Sequence, residues 1–502
     1  MQETQHAIRH TQHPMRVAIV GGGIAGLATA YYLQEKARQA GLPLGYSLIE
    51  SSATFGGKIV TDAQDGFVIE GGPDSFITQK PAALHLCREL GLEEQLLGTN
   101  DAQRKVYVLE GGQLRSLPDG VMLVVPTRFT PFALSPLISL PGKLRMGVDL
   151  FIPRRSEQSD ESLADFIRRR LGQEALDKIA EPLMAGIHVA DPERLSLQAT
   201  FPRFIQLEQK YGSLIKGMLA QKAHGARHSR NGTGRKASLF MTLRGGLREL
   251  VEALVAQLEG ELLPGTRLTG LAWASDGPTS ANGRYCLRMD DGRTLLADAV
   301  ILATPSYTAA DLVEPMHPAL AAELRAIRYV STATVSLGFR RAEFEHPLNG
   351  FGFVVAARER SRLMACTWTS TKFNQRVPDE HLLLRAFVGG PRNQELVALP
   401  DEALIQLVRE ELRQVMGVNA TPVIARVYRW PEANPQYDVG HLQQVDHIEA
   451  MATDLAGLHF TGSAYRGVGI PDCIQQGQHT AERVINELSQ RRRPVDEAAA
   501  QP

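Results

Sequence analysis

Cysteine is scarce in this chain and nowhere paired in sequence. The four cysteines among 502 residues, Cys87, Cys286, Cys366 and Cys473, form no CxxC motif. That argues against a disulfide framework or a zinc site and fits a reducing cytoplasm. An excess of one charge is missing too. A formal net charge of -1 gives no field that would gather nucleic acid or an anionic membrane. Long apolar runs are absent. The longest uncharged stretch, "FTPFALSPLISLPG" (129–142), is broken by Pro131, Pro136 and Pro141 and is too short to span a bilayer. It reads as a greasy loop that covers a cavity or touches a membrane surface. The start, "MQETQHAIRHTQHP", has no apolar core and so is not a signal peptide. Its His6, His10 and His13 belong to a frayed tail and not to a metal centre. No triad, paired-carboxylate or metal-ligand pattern stands out, and no metal is expected.

What is present is glycine in particular places. Against an ordinary globular background of 43% hydrophobic and 22% charged residues, two or three domains are expected from the length. The apolar run Arg16 to Val20 stops at Gly21-Gly22-Gly23, and "IAGLATAYYLQEKA" follows as a helix. The strand "YSLIE" then ends on Glu50. Gly21, Gly23 and Gly26 supply GxGxxG inside a strand–turn–helix–strand unit. Gly21 makes the turn, Gly23 admits a pyrophosphate and Gly26 allows close packing. Ile24 and Ala25 open the helix whose N-terminus attracts the phosphates. Glu50, with Ser51 beside it, stands where a ribose would be held. More glycines come at once: Gly56-Gly57-Lys58, then Gly71-Gly72-Pro73. A nicotinamide cofactor does not need them, whereas the longer FAD must lay its ribityl chain and ring along backbone. A second glycine loop near the end, with Gly462, Val468, Gly469 and Ile470, suits the far half of the same FAD.

Between these ends the chain is mixed. Residues 162–187 carry apolar residues at helical spacing behind Ser162, a plausible cap. Residues 223–238 are basic and aperiodic and read as a flexible surface loop, with an anion or membrane contact as the second reading. "DAVILATP" reads as a buried strand, and "TATVSLGF", "GFGFVV", "LMACTWTS" and "LLLRAFVGG" as consecutive strands of an antiparallel sheet. The expected class is therefore α/β: a Rossmann-like FAD-binding domain built from separated segments, an antiparallel-sheet substrate domain and an inserted helical domain. The expected limits are 15–90, 236–307 and 440–490 for the cofactor domain, 91–235 for the mainly helical insert, and 308–439 for the sheet domain. Residues 1–14 and 491–502 are expected to be tails.

The segments "GGGIAGLATAYYL", "GGKIVTDAQDGFVIEGGPDSF", "EPLMAGI", "WPEANPQYDVGH" and "GVGIPDCIQQG" together resemble the Bacillus-type porphyrinogen oxidases, FAD enzymes of the monoamine-oxidase-like superfamily. The resemblance runs from Arg16 to about Leu488. It implies oxidation of coproporphyrinogen III or protoporphyrinogen IX in haem synthesis, with dioxygen as acceptor and hydrogen peroxide as product. It also implies a cytoplasmic protein with a peripheral membrane contact and a chelatase partner of the haem pathway. Lys80 becomes a candidate for the substrate's propionates, Gly186 a candidate at the substrate cavity and Trp430 a candidate beside the cofactor. His441 and Tyr437 are placed near the flavin as structural or cavity-wall residues. In the family's "GIYAGD"-like stretch this chain has "GIHVAD" (186–191), a departure at that cavity. Amine oxidases, phytoene-desaturase-like enzymes and the non-enzymatic GDI-like proteins share the architecture. The intact glycine cradle stands against the last of these.

Overall fold

The computed structural model describes residues 14–118, 121–122, 125–126, 135–157, 159–228, 238–274 and 284–499. Part of the expected greasy loop (129–134), part of the expected basic loop (229–237) and the tail residues 1–13 and 500–502 lie outside them. Residues 491–499, expected to be a tail, instead continue the helix Ile470–Ala499. Residues 223–228, read from sequence as loop, instead continue the helix Leu214–His228.

Two sheets organise the molecule. The first has five strands, β1 (Met15–Val20), β2 (Leu44–Ile49), β5 (Glu261–Leu263), β6 (Ala299–Leu302) and β12 (Leu458–Phe460). All pair in parallel, in the order β5-β2-β1-β6-β12. Val17, Ala18, Ile19 and Val20 are all buried, as expected of a strand covered on both faces. Helix α1 (Ile24–Ala40) covers one face, and α6 (Ile470–Ala499) lies against it. Their contact is close because Gly477 has no side chain: a Cβ there would lie 2.9 Å from the Ala25 carbonyl oxygen.

The second sheet has seven strands: β3 (Val106–Glu110), β4 (Gln113–Ser116), β7 (Tyr329–Arg340), β8 (Gly352–Val355), β9 (Leu363–Trp368), β10 (His381–Gly389) and β11 (Ile424–Pro435). Their order is β11-β7-β10-β9-β8-β3-β4, antiparallel except where β8 meets β3. The β3–β4 hairpin lies within the stretch expected to be the helical insert, yet its backbone completes this sheet. The strand period of two decides the faces. On β10, Leu382, Leu384, Ala386 and Val388 enter a core with Leu404, Val408 and Leu412 of α5 (Asp401–Met416). Leu383, Arg385 and Phe387 occupy the opposite face, where Leu383 meets Phe67 and Ile69 and Phe387 packs on the core of the helical region.

The helical region starts with α2 (Leu140–Gly147) and continues with α3 (Leu163–Arg170) and α4 (Glu181–His188). Ser162 does cap α3, accepting from the Asp165 amide at 3.0 Å. The periodic stretch is nevertheless not one helix. Gly172, at φ 94°, breaks it, and a π-helical turn (Leu176–Ala180) precedes α4. Apolar spacing alone gave no sign of that break. Among the described residues, no helix is long and apolar enough to cross a membrane.

Candidate active site

In an open parallel sheet, ligands bind beyond the carboxyl ends of the strands. Here those ends bring together Gly21, Glu50, Ala303-Thr304 and Thr461-Gly462 from stretches far apart in sequence. Gly21, Gly22 and Gly23 form the turn after β1, and Ile24, Ala25 and Gly26 the first turn of α1. A Cβ on Gly26 would lie 1.9 Å from the Gly21 carbonyl oxygen, so only glycine permits this turn. At Gly23, by contrast, no atom lies within 4 Å of the Cβ position. The turn is tight underneath and open above.

Glu50 is buried at the end of β2. Its carboxylate accepts from the Gly22 amide and the Ser52 amide, both at 2.7 Å, and the Ser51 hydroxyl lies 3.4 Å away. Gly56 pairs with Gly23 as an isolated bridge, and Gly57 crosses close to the Gly23 backbone. Lys58 therefore sits beside the phosphate-type turn. Its ammonium donates to the Ala433 carbonyl and lies 3.5 Å from the Ser463 hydroxyl. Burial pushes its pKa down.

The turn Gly71-Gly72-Pro73, which follows the hairpin of Thr61–Gln64 and Phe67–Glu70, lies between Lys58 and the second sheet. The Gly71 carbonyl accepts from Trp430 Nε1 and from the Thr334 hydroxyl, each at 2.9 Å. Arg385 donates to the carbonyls of Gly71 and Gly72. Glycine is required at position 72 because a Cβ would strike the Lys58 carbonyl oxygen at 1.7 Å. Asp74, next in the turn, takes Lys372 at 2.7 Å. Burial opposes ionisation of Asp74, but Lys372 and Arg385 outweigh it and hold the carboxyl well below its ordinary range. Sequence reasoning singled out neither Arg385 nor Asp74. A lone arginine in the apolar strand "LLLRAFVGG" was the available signal.

The C-terminal loop is held by aromatics. The Tyr437 hydroxyl donates to the Ser463 carbonyl and accepts from the Gly467 amide, both at 2.8 Å. Its ring stacks on His441 at 3.9 Å, and His441 Nε2 lies 2.8 Å from the Tyr465 carbonyl oxygen. Val468 is exposed, the Gly469 amide faces Asp472 at 3.3 Å, and Ile470 enters the core beneath.

Of the two substrate candidates, Lys80 is joined to this loop through Asp472, whereas Gly186 stands apart from it. Lys80 is half exposed and forms an ion pair with Asp472, at 2.7 and 2.8 Å to its two oxygens. Gly186 lets α4 press on the second sheet, since a Cβ would lie 2.7 Å from Val354 Cγ1. Just beyond it Val189 takes φ 53°, a rare conformation for a β-branched residue, and its carbonyl accepts from Gln436 Nε2 at 3.1 Å.

The crevice fits FAD. It offers the open backbone at Gly23 and an ionisable acid at Glu50. The buried hydroxyls Thr304 Oγ1 and Thr461 Oγ1, at the carboxyl ends of β6 and β12, have no hydrogen-bond partner among the described residues, a state that a bound polar group relieves. Residues 24–485 match the family of flavin containing amine oxidoreductases. The chain belongs to that family. It is 40% identical to a coproporphyrinogen III oxidase of Bacillus subtilis, with 94% of this chain and 98% of the relative covered. It is 31% identical to a chloroplastic protoporphyrinogen oxidase of Spinacia oleracea, over 94% of this chain and 84% of that one. A crystal structure from Exiguobacterium superposes with a TM-score of 0.82 at 33% identity, over 95% of this chain and all of the other. The protein is an FAD-dependent oxidoreductase with the two-sheet architecture expected from its sequence.

Proposed function

We propose that this enzyme removes six electrons from a porphyrinogen to give the porphyrin, with dioxygen as acceptor and hydrogen peroxide as product, in haem synthesis. Coproporphyrinogen III is the favoured substrate, ahead of protoporphyrinogen IX. The observation that carries this reading is the full-length 40% identity to the Bacillus subtilis oxidase, against 31% to the plant protein named for the other substrate.

Bound FAD supplies the two-electron acceptor for each of three rounds. The protein has to hold cofactor and substrate in register and keep water out. Gly21 to Gly26 and Glu50-Ser51 would hold the adenosine and pyrophosphate. Gly56-Gly57-Lys58, Gly71-Gly72-Pro73 and Trp430 would border the ring, with Gly462 and Val468-Gly469-Ile470 closing the other side. Lys80 would take a propionate by exchanging it for Asp472, because an exposed ion pair is weak enough to open. Gly186 would set how closely α4 approaches the sheet, and so the width of the substrate cavity between them. The domain limits expected from sequence are part of this proposal, except that β3 and β4 belong with the sheet domain and α6 carries the last cofactor segment on to residue 499.

Peripheral membrane contact in a cytoplasmic setting is assigned to the exposed stripe Leu140, Leu144, Val148 and Phe151, on α2 and the turn after it. Leu144 is 68% and Phe151 83% exposed, and both are free to enter a headgroup layer. A haem-pathway chelatase that inserts metal into the product is the natural receiver of the porphyrin.

The test is porphyrin fluorescence in air with both porphyrinogens in parallel. Faster production of coproporphyrin III is expected. No rise above autoxidation with either substrate would sink the proposal. Co-sedimentation with anionic vesicles, weakened in Leu144→Ser and Phe151→Ser, checks the membrane contact.

A further inference from the structure

Lys58 differs from Lys36, Lys80, Lys178 and Lys372 in having no acidic partner among the described residues. Lys80 pairs with Asp472, Lys372 with Asp74, Lys178 with Glu110 and Glu174, and Lys36 with Glu482. The Lys58 ammonium has a carbonyl and a hydroxyl, those of Ala433 and Ser463, and no ion pair among the described residues. It is half-buried, and that burial lowers its pKa, opposed by Cys473. A half-buried ammonium without a counter-charge is unfavourable, so Lys58 points to negative charge on the group that fills the crevice, and the reaction adds to that charge.

The position is specific. Lys58 follows Gly57, whose Cβ would lie 3.1 Å from the Gly23 Cα, and its tip reaches Ser463 in the loop after β12. It therefore spans the crevice from the phosphate-type turn to the C-terminal loop. Removing a hydride from a methylene bridge breaks a C–H bond and carries the proton and both electrons to the acceptor. The acceptor becomes one charge more negative, and the substrate cation then releases a second proton to water. One unit of negative charge thus appears in a crevice that already holds one unpaired ammonium.

We infer that Lys58 is the cation that balances the charge delivered to bound FAD, so that it favours the reduced over the oxidised cofactor. This rests on the proposal that FAD fills this crevice. Lys58 acts on the equilibrium of the cofactor and takes no proton from the substrate. Its hydrogen bonds to Ala433 and Ser463 hold it where that charge forms. A lysine serving only the pyrophosphate would meet the same charge in both redox states and would leave the preference unchanged.

The experiment measures the midpoint potential of FAD bound to wild type, Lys58→Met, Lys58→Gln and Lys58→Arg by dye-equilibrated reduction. The yellow colour of each preparation is recorded first. Lys58→Met and Lys58→Gln are expected to shift to a more negative potential by at least tenfold in the reduced-to-oxidised ratio, about 30 mV for a two-electron couple. Lys58→Arg is expected to stay close to wild type. Sulfite, which places negative charge on the oxidised ring, gives a second readout. Its dissociation constant should rise in Lys58→Met and Lys58→Gln but not in Lys58→Arg. An unchanged midpoint with FAD retained, or an equal weakening of both oxidation states, overturns the inference. A wild-type protein that purifies without FAD, and does not take it up, would count against the cofactor assignment itself, before any potential is read.

Discussion

Glu50 shows how one side chain can serve the fold and the ligand together. Its two oxygens accept from the Gly22 and Ser52 amides, and each oxygen keeps further acceptor capacity for ribose hydroxyls. Replacing it with glutamine removes the charge and turns one acceptor into a donor that faces an amide. Hydrogen bonds to charged groups contribute about 1.5–3 kcal/mol each. Glu50→Gln should therefore raise the FAD dissociation constant roughly ten- to hundredfold, measured by flavin fluorescence on titration of apoprotein. The residues of this end were legible in the sequence because backbone geometry dictates them: a turn that tolerates no Cβ must be glycine wherever it occurs. Lys80 was legible only in part. Its partner Asp472 lies 392 residues away, and no local pattern reports such a pair. Asp74, Lys372 and Arg385 escaped for the same reason, since their roles exist only once the turn after Glu70 packs on the second sheet.

Among the elements, the contact of α1 with α6 is the most exacting. Gly477 faces the Ala25 carbonyl oxygen, the Thr29 amide and the Thr29 hydroxyl at 2.9–3.0 Å from its Cβ position. Gly477→Val would force the helices apart and shift the turn of residues 21–26 with them. A loss of about 2–4 kcal/mol is expected from overpacking of this kind, read as a lower thermal midpoint together with loss of colour. Element types were largely legible from hydrophobic period, and β1, α1 and the strands from Thr332 onward follow it. The pattern says less about continuity and pairing. The stretch from Ser162 looked continuous, although Gly172 divides it. The β3–β4 hairpin carries no mark of the sheet it joins, because its parallel partner β8 lies about 240 residues further on.

At the scale of the whole molecule, charge is buried beneath the hairpin of Thr61–Gln64 and Phe67–Glu70. Glu70 accepts from the Thr61 hydroxyl and the Leu247 amide, with Arg376 at 3.7 Å. Burial still pushes its pKa from an ordinary 4.5 up to about 7, against the pull of Arg376. A carboxyl whose folded pKa is raised stabilises the fold fully below its unfolded value. That contribution is lost as pH rises through the folded value. Glu70 should thus cost stability progressively between about pH 4.5 and 7. Glu70→Gln should flatten this part of the profile, and the variant's thermal midpoint should gain on wild type by the equivalent of roughly 1–3 kcal/mol between those limits. A parallel pair of profiles would show that Glu70 stays ionised throughout.

The crevice is shared between stretches that a ribosome makes at very different times. Lys58 and Ser463, which meet across it, are 405 residues apart, and β12 joins the first sheet only after nearly all of the other strands exist. A nascent chain that has released β1, α1 and β2 owns a phosphate-type turn but not the opposite wall. Cofactor capture is therefore a late event in synthesis, and polypeptides that stop before β12 should remain colourless. Colour in the finished protein reports that the chain was made through to its last strand.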